Sequence, residues 1–493
     1  MTPADLLWIL VALPLVAGLA CVLLPQRAGG TLSRLVVLPM IVLAAGVAVA
    51  VADRGPLAHA LGGWAPPLGI GLRADGLAAA MIAMTALVCA AALLYAEPYF
   101  TAHRAERERS SFRPLAWTLW ASVNALLLSN DLFNLYVTLE LLTLCAAGLA
   151  ALGGNAEALA ASLRYLLAAL VGSLAFLLGV ALAYAGTGTL ALPELAARVA
   201  ADASAPVLAA ALLAMIAGLA LKTALFPLHG WLPPAHGGAA TPVSALLSAL
   251  VVKASFYVLL QLWVGPMKPV SGDLGAVLGA LGVAAILWGS IAALVQAKLK
   301  WVVAYSTVAQ VGYLFVAFPL LEGDSAGSAF GGVALQAIAH GLAKAAMFLA
   351  VGTLMLACGR GEVAAICGLA GRQPVAVFAF AIAGASLAGV PPTGGFAAKW
   401  LLLEAAWIAG SWHLAAPMIV GSLLTAAYVL RVLRCAFLPP ANDAPSQRVA
   451  ATMPALALVL ALVALVMGFA TTPLLSLVQV GAGGIAAVAV EPR

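Results

Sequence analysis

Apolar segments of about twenty residues recur along the whole chain, and they constrain its fold more than any other feature. Only 23 Lys and Arg and 18 Asp and Glu occur among the 493 residues, and 65% of the residues are hydrophobic. A soluble domain carries about 25% charged residues. Segments of this length span a bilayer as helices, whereas a β-barrel would show short alternating segments. The sequence therefore predicts an all-α polytopic membrane protein.

We count about fourteen candidate transmembrane helices by apolar length, with a further short helix near 395–410. The candidates lie near 5–24, 35–52, 76–96, 113–129, 131–152, 163–186, 205–226, 240–263, 274–297, 301–320, 329–357, 374–391, 413–437 and 451–478. The longest polar loops between them are short, so the sequence predicts no soluble domain.

The distribution of Lys and Arg over the loops predicts the orientation. Loops on one side carry fourteen of these residues: Arg27, Arg34, Arg104, Arg107, Arg109, Arg113, Arg164, Lys298, Lys300, Arg360, Arg372, Arg431, Arg434 and Arg448. The side of the termini carries five, namely Arg54, Arg73, Arg198, Lys268 and Arg493. Cytoplasmic loops are enriched in basic residues. We therefore expect a multi-pass protein of a bacterial inner membrane with both termini outside.

Two of the predicted spans are interrupted by proline and glycine. The first interruption contains Pro227, and the second contains Pro391, Pro392 and Gly394. Proline removes helical hydrogen bonds, and the freed backbone groups are tolerated in a membrane only where protein or cavity water satisfies them. Prolines are also commoner in membrane helices in general. Paired breaks, each with a lysine nearby, are nevertheless typical of inverted-repeat transporters with a site at mid-membrane.

Charged side chains lie deep inside several spans: Glu140, Lys222, Lys253, Lys344, Lys399 and Glu404. One such residue in hydrocarbon costs about 2.5–3.5 kcal/mol on insertion scales. This pattern predicts a proton path. Glu140 is interpreted as a carboxylate that pairs with Lys222 and tunes its protonation, the alternative being a salt bridge that only packs helices.

The remaining candidates extend this path. Lys253 is central in its span, which argues against snorkelling to an interface. His340 and Lys344 are four residues apart and share a helix face, so either is a candidate for a central relay. The alternative for His340 is a structural hydrogen bond to a neighbouring backbone carbonyl. Lys399 follows the second break. Three further residues are candidates for the path. His229 and His236 flank the first break, and each either lines the path or caps a loop. Glu404 either belongs to the path or lies near a membrane surface.

Other classes of chemistry have no visible support in the sequence. It contains no Gly-rich nucleotide loop before a helix and no Cys/His cluster for zinc or iron–sulfur. No nucleophile is paired with a base, and the basic residues are too scattered for a nucleic-acid site. We therefore expect no catalytic residues, metal or cofactor, and an energy source in an ion gradient or a partner.

Several segments resemble a known family. They are Lys222–Tyr257 with its Trp231-Leu232-Pro233 and Pro242–Leu247 motifs, Asp131–Glu140, Tyr305–Tyr313, His340–Phe348 and Gly389–Lys399. These resemble the proton-translocating antiporter-like subunits of respiratory complex I, membrane-bound hydrogenases and Mrp cation/proton antiporters. Residues 62–79, including Gly62–Ile70, resemble the D subunit of Mrp antiporters more than complex I subunits.

The resemblance implies two inverted five-helix repeats with discontinuous helices seven and twelve. It divides the chain into helices 1–3 (1–112), a first repeat (113–263), a second repeat (264–438), and helix 14 with a tail (439–493). It also implies functional roles for Glu140, Lys222, Lys253 and Lys399, with His340 or Lys344 between them. Lys399 departs from complex I subunits that have glutamate there.

The resulting hypothesis is a proton-translocating subunit of a multisubunit Na⁺ or K⁺/H⁺ antiporter, which needs other membrane subunits as partners. One alternative is a proton-pumping subunit of a redox-driven complex, namely an NADH-quinone oxidoreductase or a hydrogenase, without a redox centre of its own. Another is a proton-coupling subunit of an inorganic carbon uptake complex. The number of buried lysines argues against a purely structural scaffold.

Overall fold

The computed structural model describes residues 2–64, 69–439 and 447–482. The chain begins with two long helices, a short antiparallel hairpin and a third helix: α1 (Asp5–Leu23), α2 (Gln26–Arg54), β1 (Leu57–Ala60), β2 (Gly71–Ala74) and α3 (Gly76–Ala102). In the hairpin Leu57 pairs with Ala74 and Ala60 with Gly71. The sequence does not predict this hairpin, because its eight strand residues are too few to give a clear pattern. Residues 65–68 of the 62–70 motif lie outside the described residues.

The next eight helices lead through the first break: α4 (Glu106–Leu128), α5 (Leu132–Ala150), α6 (Ala156–Thr187), α7 (Leu192–Ala201), α8 (Pro206–Lys222), α9 (Leu232–Gly238), α10 (Thr241–Leu246) and α11 (Val252–Val264). A π turn, Leu247–Val251, joins α10 to α11. The helix α7 lies in a segment whose sequence suggests a polar loop. It is amphipathic, with Leu195 and Val199 buried and an exposed ion pair between Glu194 and Arg198 at 3.0 Å.

The last nine helices lead through the second break: α12 (Leu274–Val295), α13 (Leu299–Phe315), α14 (Ala326–Cys358), α15 (Leu369–Arg372), α16 (Pro374–Ala388), α17 (Gly394–Ile408), α18 (Trp412–Phe437), α19 (Thr452–Val466) and α20 (Thr471–Gln479). The predicted span at 451–478 is not one straight helix, because α19 and α20 are bent by 81°. A Cβ atom at Gly468 in this bend would collide with the carbonyl oxygen of Pro392, so the bend packs closely on the second break.

The predicted fold class is confirmed. Each of the fourteen predicted spans coincides with helix, and the short helix near 395–410 is α17. Within the described residues, ten helical segments are long and apolar enough to cross a membrane, or eleven with the bent pair. Two of the other predicted spans are the shorter apolar helices α8 and α16, each ending at a break. The protein is a multi-pass membrane protein.

Burial separates the helices into a central group and a peripheral group. In the segment from α10 to α11, every residue of the apolar stretch of 18 consecutive residues is buried within the protein. In α13 and α14 the corresponding buried share is 89%, whereas in α1 and α2 it is 28%. The central helices are rich in small residues, which allow close packing. Because Lys253 and Lys344 lie on these central helices, protein surrounds them on all sides.

Candidate functional site

The first break positions Lys222 at the buried end of α8. After Lys222 the chain leaves the helix through Ala224, which has a left-handed φ of +58°. At the break, the carbonyl oxygen of Leu221 accepts from the Ala224 amide at 3.2 Å and from the indole nitrogen of Trp231 at 2.9 Å. This backbone group is thereby satisfied without Lys222, whose amine remains available for other partners.

Glu140 of α5 is the ionic partner of Lys222. The Lys222 Nζ lies 3.4 Å from Glu140 Oε1 and donates to the Thr143 hydroxyl at 2.8 Å. From α6, the Ser173 hydroxyl donates to the same carboxylate oxygen of Glu140. Lys222 is 4% exposed and Glu140 is 20% exposed. The predicted pair is therefore in contact, with its lysine inside the bundle and its carboxylate nearer the bundle surface.

Two glycines allow α6 and α8 to approach closely enough for this geometry. A Cβ atom at Gly172 would lie 2.8 Å from the carbonyl oxygen of Gly218 and 3.1 Å from the Cγ atom of Lys222. Real Cβ atoms rarely approach that closely. Gly172 therefore leaves the space that the stem of Lys222 occupies.

A small cavity of about 10 Å³ lies between Lys222 and α11. Its lining includes Thr143 and Tyr165 on one side, and Val251 and Ser255 on the other. This volume is close to the lower limit for a single water molecule. Val251 and Ser255 flank Lys253 by two residues on either side, so the cavity separates the first buried lysine from the helix that carries the second.

Hydrogen bonds connect Lys253 to Lys344. The Lys253 amine donates to the carbonyl oxygen of Ser248, in the π turn. The Ser248 hydroxyl contacts the Thr307 hydroxyl of α13 at 2.9 Å, and Thr307 donates to the carbonyl oxygen of Val303 at 3.2 Å. Lys344 donates to the same Val303 oxygen. Both lysines are fully buried, so α13 provides the polar connection between α11 and α14.

The polar face of α14 continues from Lys344 to His340 and Gln336. Lys344 also donates to the Ser306 hydroxyl at 2.7 Å. His340 is 1% exposed, and neither ring nitrogen has a hydrogen-bond partner among the described residues. It lies within electrostatic reach of Lys253, Lys344 and Lys399. A histidine so placed can accept or donate a proton at either ring nitrogen.

The second break positions Lys399 differently. Its Nζ donates to the carbonyl oxygen of Leu387 at 2.6 Å and to the Ser422 hydroxyl at 3.1 Å. It also lies 4.1 Å from the centre of the Tyr313 ring. The Leu387 oxygen, near the end of α16, also accepts from Gln310 of α13 at 3.1 Å. Lys399 is therefore held by a carbonyl group beside the break, a hydroxyl and an aromatic face.

Gln310 connects this second break to α14. Its side-chain oxygen accepts from Gln336 at 3.0 Å, and its side-chain nitrogen reaches Leu387. The polar groups thus form a row across the bundle, with one gap at the small cavity and one at His340. We use "polar row" for these residues: Glu140, Lys222, Lys253, Ser248, Thr307, Lys344, His340, Gln336, Gln310 and Lys399.

The three additional candidates lie beside or away from the polar row. His236 is fully buried and stacks on Phe348 at 4.7 Å, and Lys344 approaches the same ring to 5.2 Å. His229 is half-buried at the first break and stacks on Phe226 at 5.5 Å. Glu404 is exposed and accepts from Ser328 at 3.3 Å. Only His236 therefore lies next to a member of the row.

The predicted break residues lie where the helices stop. Pro227 falls between α8 and α9, and Pro391 and Pro392 fall between α16 and α17. Gly394 is the first residue of α17, and a Cβ atom there would lie 2.8 Å from Met467. The Thr393 hydroxyl caps α17 by accepting from the Phe396 amide at 3.3 Å.

Sequence reasoning missed the contribution of α13. Ser306, Thr307, Gln310 and Tyr313 supply contacts to three of the buried lysines or their partners. Ser306 and Thr307 are adjacent, Gln310 follows them by four and three residues, and Tyr313 follows Gln310 by three, so the four side chains lie on one side of the helix. That periodicity was the available signal, although neutral polar residues in an apolar helix are weaker evidence than a charge.

The chain is similar to a known family of membrane proteins. Residues 129–425 match the family model described as NADH:quinone oxidoreductase/Mrp antiporter, TM. The chain is 38% identical over 445 residues to NADH-quinone oxidoreductase subunit N of Desulforudis audaxviator, covering 88% of this chain and 87% of the relative. It is 30% identical over 406 residues to the D subunit of the Na(+)/H(+) antiporter of Alkalihalophilus pseudofirmus, covering 82% and 81%.

The fold has a close counterpart among solved structures. A chain in the structure of the Mrp complex from Dietzia sp. DQ12-45-1b superposes with a TM-score of 0.89 at 27% identity. The match covers 99% of this chain and 98% of that chain. The chain therefore belongs to the NADH:quinone oxidoreductase/Mrp antiporter transmembrane family, as an antiporter-like membrane subunit of the Mrp or complex I type.

Proposed function

We propose that the chain is the proton-translocating subunit of a multisubunit monovalent cation/proton antiporter. The observation that carries this proposal is the polar row, which contains four buried lysines in contact with groups that accept or donate hydrogen bonds. Intramembrane ionisable residues are costly and are a usual mark of proton relays. The similarity to a Na(+)/H(+) antiporter subunit and to a chain of the Mrp complex supports the antiporter assignment.

In this proposal, Glu140 and Lys222 form the input switch. A carboxylate in contact stabilises the ammonium form of lysine, and its withdrawal by a few ångströms favours release of the proton. Lys253, His340 and Lys344 relay the proton, and Lys399 lies on the output side. His236 is an additional relay candidate because it shares the Phe348 ring with Lys344. His229 and Glu404 are lesser candidates.

We further propose two inverted repeats, 113–263 and 264–438, preceded by 1–112 and followed by 439–493. Each proposed repeat contains one broken helix with a buried lysine, which supports this division. The Lys and Arg asymmetry supports a bacterial inner-membrane location with both termini outside. The relatives are named as subunits, which supports other membrane subunits as partners.

A second candidate function has its own supporting observation. The 38% identity to an NADH-quinone oxidoreductase subunit N favours a proton-pumping subunit of a redox-driven complex. The polar row would serve both functions, because it moves protons whatever the energy source. What differs is the partner that drives the movement, and that partner lies outside this chain.

The experiment that tests the proposal measures cation-dependent proton flux in inverted vesicles. The whole operon is expressed in an antiporter-deficient host, and ΔpH is followed with a fluorescent probe. We expect ΔpH to collapse when Na⁺ or K⁺ is added, and we expect Lys222→Ala to abolish the response. The matched control is Lys298→Ala, an exposed lysine outside the polar row.

Two results of this experiment would contradict the proposal, and each rejects a different part of it. Absence of a cation response, with proton pumping when NADH or a hydrogenase donor is supplied, would assign the chain to the redox-driven class. Normal exchange in the Lys222→Ala variant would reject the polar row as the proton path.

A further inference from the structure

A cavity outside the polar row lies beside the β1–β2 hairpin. Its volume is about 350 Å³, and its polar lining includes Arg73, Asp75, Asn130, Tyr257 and Gln261. The cavity lies at the face of the bundle where α1 begins, since Asp5 of α1 and His59 of β1 are 3.6 Å apart. We call it the hairpin-face cavity. By the Lys and Arg asymmetry, this face is predicted to be outside.

A hydrogen-bonded chain leads from this cavity into the bundle. Asp75 accepts from the Gln261 side-chain nitrogen at 3.1 Å, and the same nitrogen contacts the Tyr257 hydroxyl at 3.1 Å. The Tyr257 hydroxyl donates to the carbonyl oxygen of Leu127 at 3.0 Å. Asp75 and Gln261 are partly exposed, whereas Tyr257 is 6% exposed. The chain therefore extends from the cavity to a buried hydroxyl.

Lys253 lies on the same face of α11 as this chain. Lys253, Tyr257 and Gln261 follow one another at intervals of four residues, so their side chains line one side of the helix. The Lys253 amine is directed toward Ser248, away from Tyr257. One helical turn therefore separates Lys253, a member of the polar row, from Tyr257 at the buried end of the chain, and the flexible lysine side chain or water can cover that distance.

Asp75 precedes the first residue of α3, and burial raises its pKa above the ordinary aspartate value. Hydrogen bonds from the Ala78 amide and Gln261, and the charge of Arg73, act in the opposite direction. The groups that face it are thus Arg73 of β2 and Tyr257 and Gln261 of α11. A carboxyl in this setting binds a proton at higher pH than a free aspartate does.

We propose that the hairpin-face cavity is a mouth of the proton path, where Asp75 exchanges protons with water, and where water in the cavity and the Tyr257 hydroxyl carry them between Asp75 and Lys253. This inference rests on the proposed function, because it takes the polar row as the path. Asp75 is the outermost proton-binding group, and Gln261 positions Asp75 and Tyr257 because its side-chain nitrogen donates to both of them. The mouth opens on the side opposite to the loops that carry most of the Lys and Arg.

The first test replaces Asp75 by Asn in the complete complex. Asn keeps one oxygen that can accept from the Ala78 amide and cap α3, but it presents an amide NH₂ in place of the oxygen that accepts from Gln261, toward which the Gln261 amide can turn its own oxygen, and it cannot titrate. We expect the initial rate of proton flux to fall by about tenfold or more. The matched control is Asp131→Asn, a second N-cap aspartate that does not line the cavity, and this variant should keep the wild-type rate.

A wild-type rate in Asp75→Asn, together with loss of flux in Lys222→Ala, would show that the hairpin-face cavity is not a mouth of the proton path. The proposed function would remain supported. Loss of flux in Asp75→Asn with a wild-type rate in Asp131→Asn supports the mouth. The Lys222→Ala variant, measured in the same series, tests the proposed function independently of Asp75.

The second test does not depend on transport. The four partly exposed native cysteines, Cys21, Cys358, Cys367 and Cys435, are first changed to alanine. Gln261→Cys is then exposed to a membrane-impermeant maleimide on each side of sealed vesicles. We expect it to be modified only from the side that modifies Ala58→Cys, an exposed position on β1, while the buried Ala254→Cys is not modified. Failure to modify Gln261→Cys from that side would overturn the proposal.

Discussion

Lys222 and Lys399 both lie at a broken helix, but their partners differ in kind. Lys222 contacts the carboxylate of Glu140 at 3.4 Å. Lys399 contacts a carbonyl oxygen, a hydroxyl and the face of Tyr313, and no carboxylate among the described residues forms a salt bridge with it. A carboxylate favours the charged lysine, whereas neutral acceptors can hold either the ammonium or the amine. The two breaks therefore give their lysines different electrostatic surroundings, which under the proposed function suit different steps of proton transfer.

The backbone carbonyl oxygens at the two breaks also differ in which side chains donate hydrogen bonds to them. At the first break, the Leu221 oxygen accepts from Trp231, a side chain that cannot release a proton under physiological conditions. At the second break, the Leu387 oxygen accepts from Lys399 itself and from Gln310. The second break thus provides a ligand for its lysine, whereas the first break needs a residue from another helix for that purpose. A similar backbone interruption therefore supports two different electrostatic arrangements.

Among the groups that surround the two lysines, the largest expected effect comes from removing the carboxylate at the first break. Glu140→Gln should reduce proton flux by about a hundredfold or more, because Lys222 loses the charge that tunes its protonation. Initial rates in vesicles that contain the complete complex measure this effect. Glu157→Gln, an exposed glutamate in the first turn of α6, is the matched control. A rate in Glu140→Gln equal to that of the control would remove the distinction between the two breaks.

The second prediction concerns stability. Lys222→Met leaves the Glu140 carboxylate unpaired, which should destabilise the protein by about 1–3 kcal/mol. Adding Glu140→Gln should recover part of that loss, with a coupling energy of about 0.5–3 kcal/mol. Thermal denaturation of the solubilised complex measures all variants. Lys399→Met combined with Glu140→Gln is the control cycle and should be additive, since the two residues share no contact; equal coupling in both cycles would contradict the comparison.

The third prediction concerns the aromatic ring of Tyr313, whose centre lies 4.1 Å from the Nζ atom of Lys399. Tyr313→Leu should reduce proton flux by about threefold to thirtyfold, because an attraction of about 0.5–2 kcal/mol between ammonium and ring is lost. Tyr313→Phe keeps the ring but removes the hydroxyl that donates to Met418 at 2.7 Å. If flux falls equally in both variants, the hydroxyl rather than the ring supports Lys399. That result would remove the aromatic face from the set of groups that hold this lysine.

Glycine positions give a fourth and smaller effect. Gly389 has a φ of +78°, and a Cβ atom there would lie 2.9 Å from the Cδ atom of Lys399. Gly389→Ala should therefore destabilise the protein by about 1–2 kcal/mol and reduce flux. Gly230→Ala, in the first break, is the control, because a Cβ atom there would have no atom of the described residues within 4 Å apart from its chain neighbours. Thermal denaturation and flux rates should both distinguish the two variants.

The smallest effect is expected at the left-handed residue of the first break. Ala224 has a φ of +58°, a conformation that costs an L-residue with a side chain about 1–2 kcal/mol. Ala224→Gly relieves this cost but adds freedom to the unfolded chain, so we expect a net stabilisation of about 1 kcal/mol or less. A raised midpoint of thermal denaturation, with unchanged flux, is the expected result. A lowered midpoint would show that the left-handed backbone carries no strain there.

Much of the fold could be predicted because apolar length and proline positions are local signals. The spans follow from segments such as 274–297, and the second break follows from Pro391, Pro392 and Gly394. The hairpin and α7 could not be predicted with the same ease, because short elements depend on contacts that the sequence does not display. At the 81° bend before α20, Gly468 packs closely on Pro392, a residue distant in sequence, and a contact of this kind cannot be identified from local signals.

In the candidate site too, some residues could be predicted from the sequence and others could not. Its lysines could be identified from sequence because a charge in an apolar segment is rare. The Glu140–Lys222 contact was correctly predicted, since two opposite charges in a bundle have a reason to meet. The partners of Lys253, Lys344 and Lys399 could not be assigned, because carbonyl oxygens and hydroxyls occur throughout the helices. Their identity depends on how α13 lies between its neighbours.

The measurement that tests the central claim most directly is proton flux in the Lys399→Met complex. If the lysines at both breaks belong to one path, flux should be lost as fully in this variant as in Lys222→Met. Assembly of the complex is verified by gel filtration before each flux assay. Loss of flux in both assembled variants is the predicted result. Wild-type flux in Lys399→Met, with flux abolished in Lys222→Met, would contradict a path that extends across the bundle to the second break.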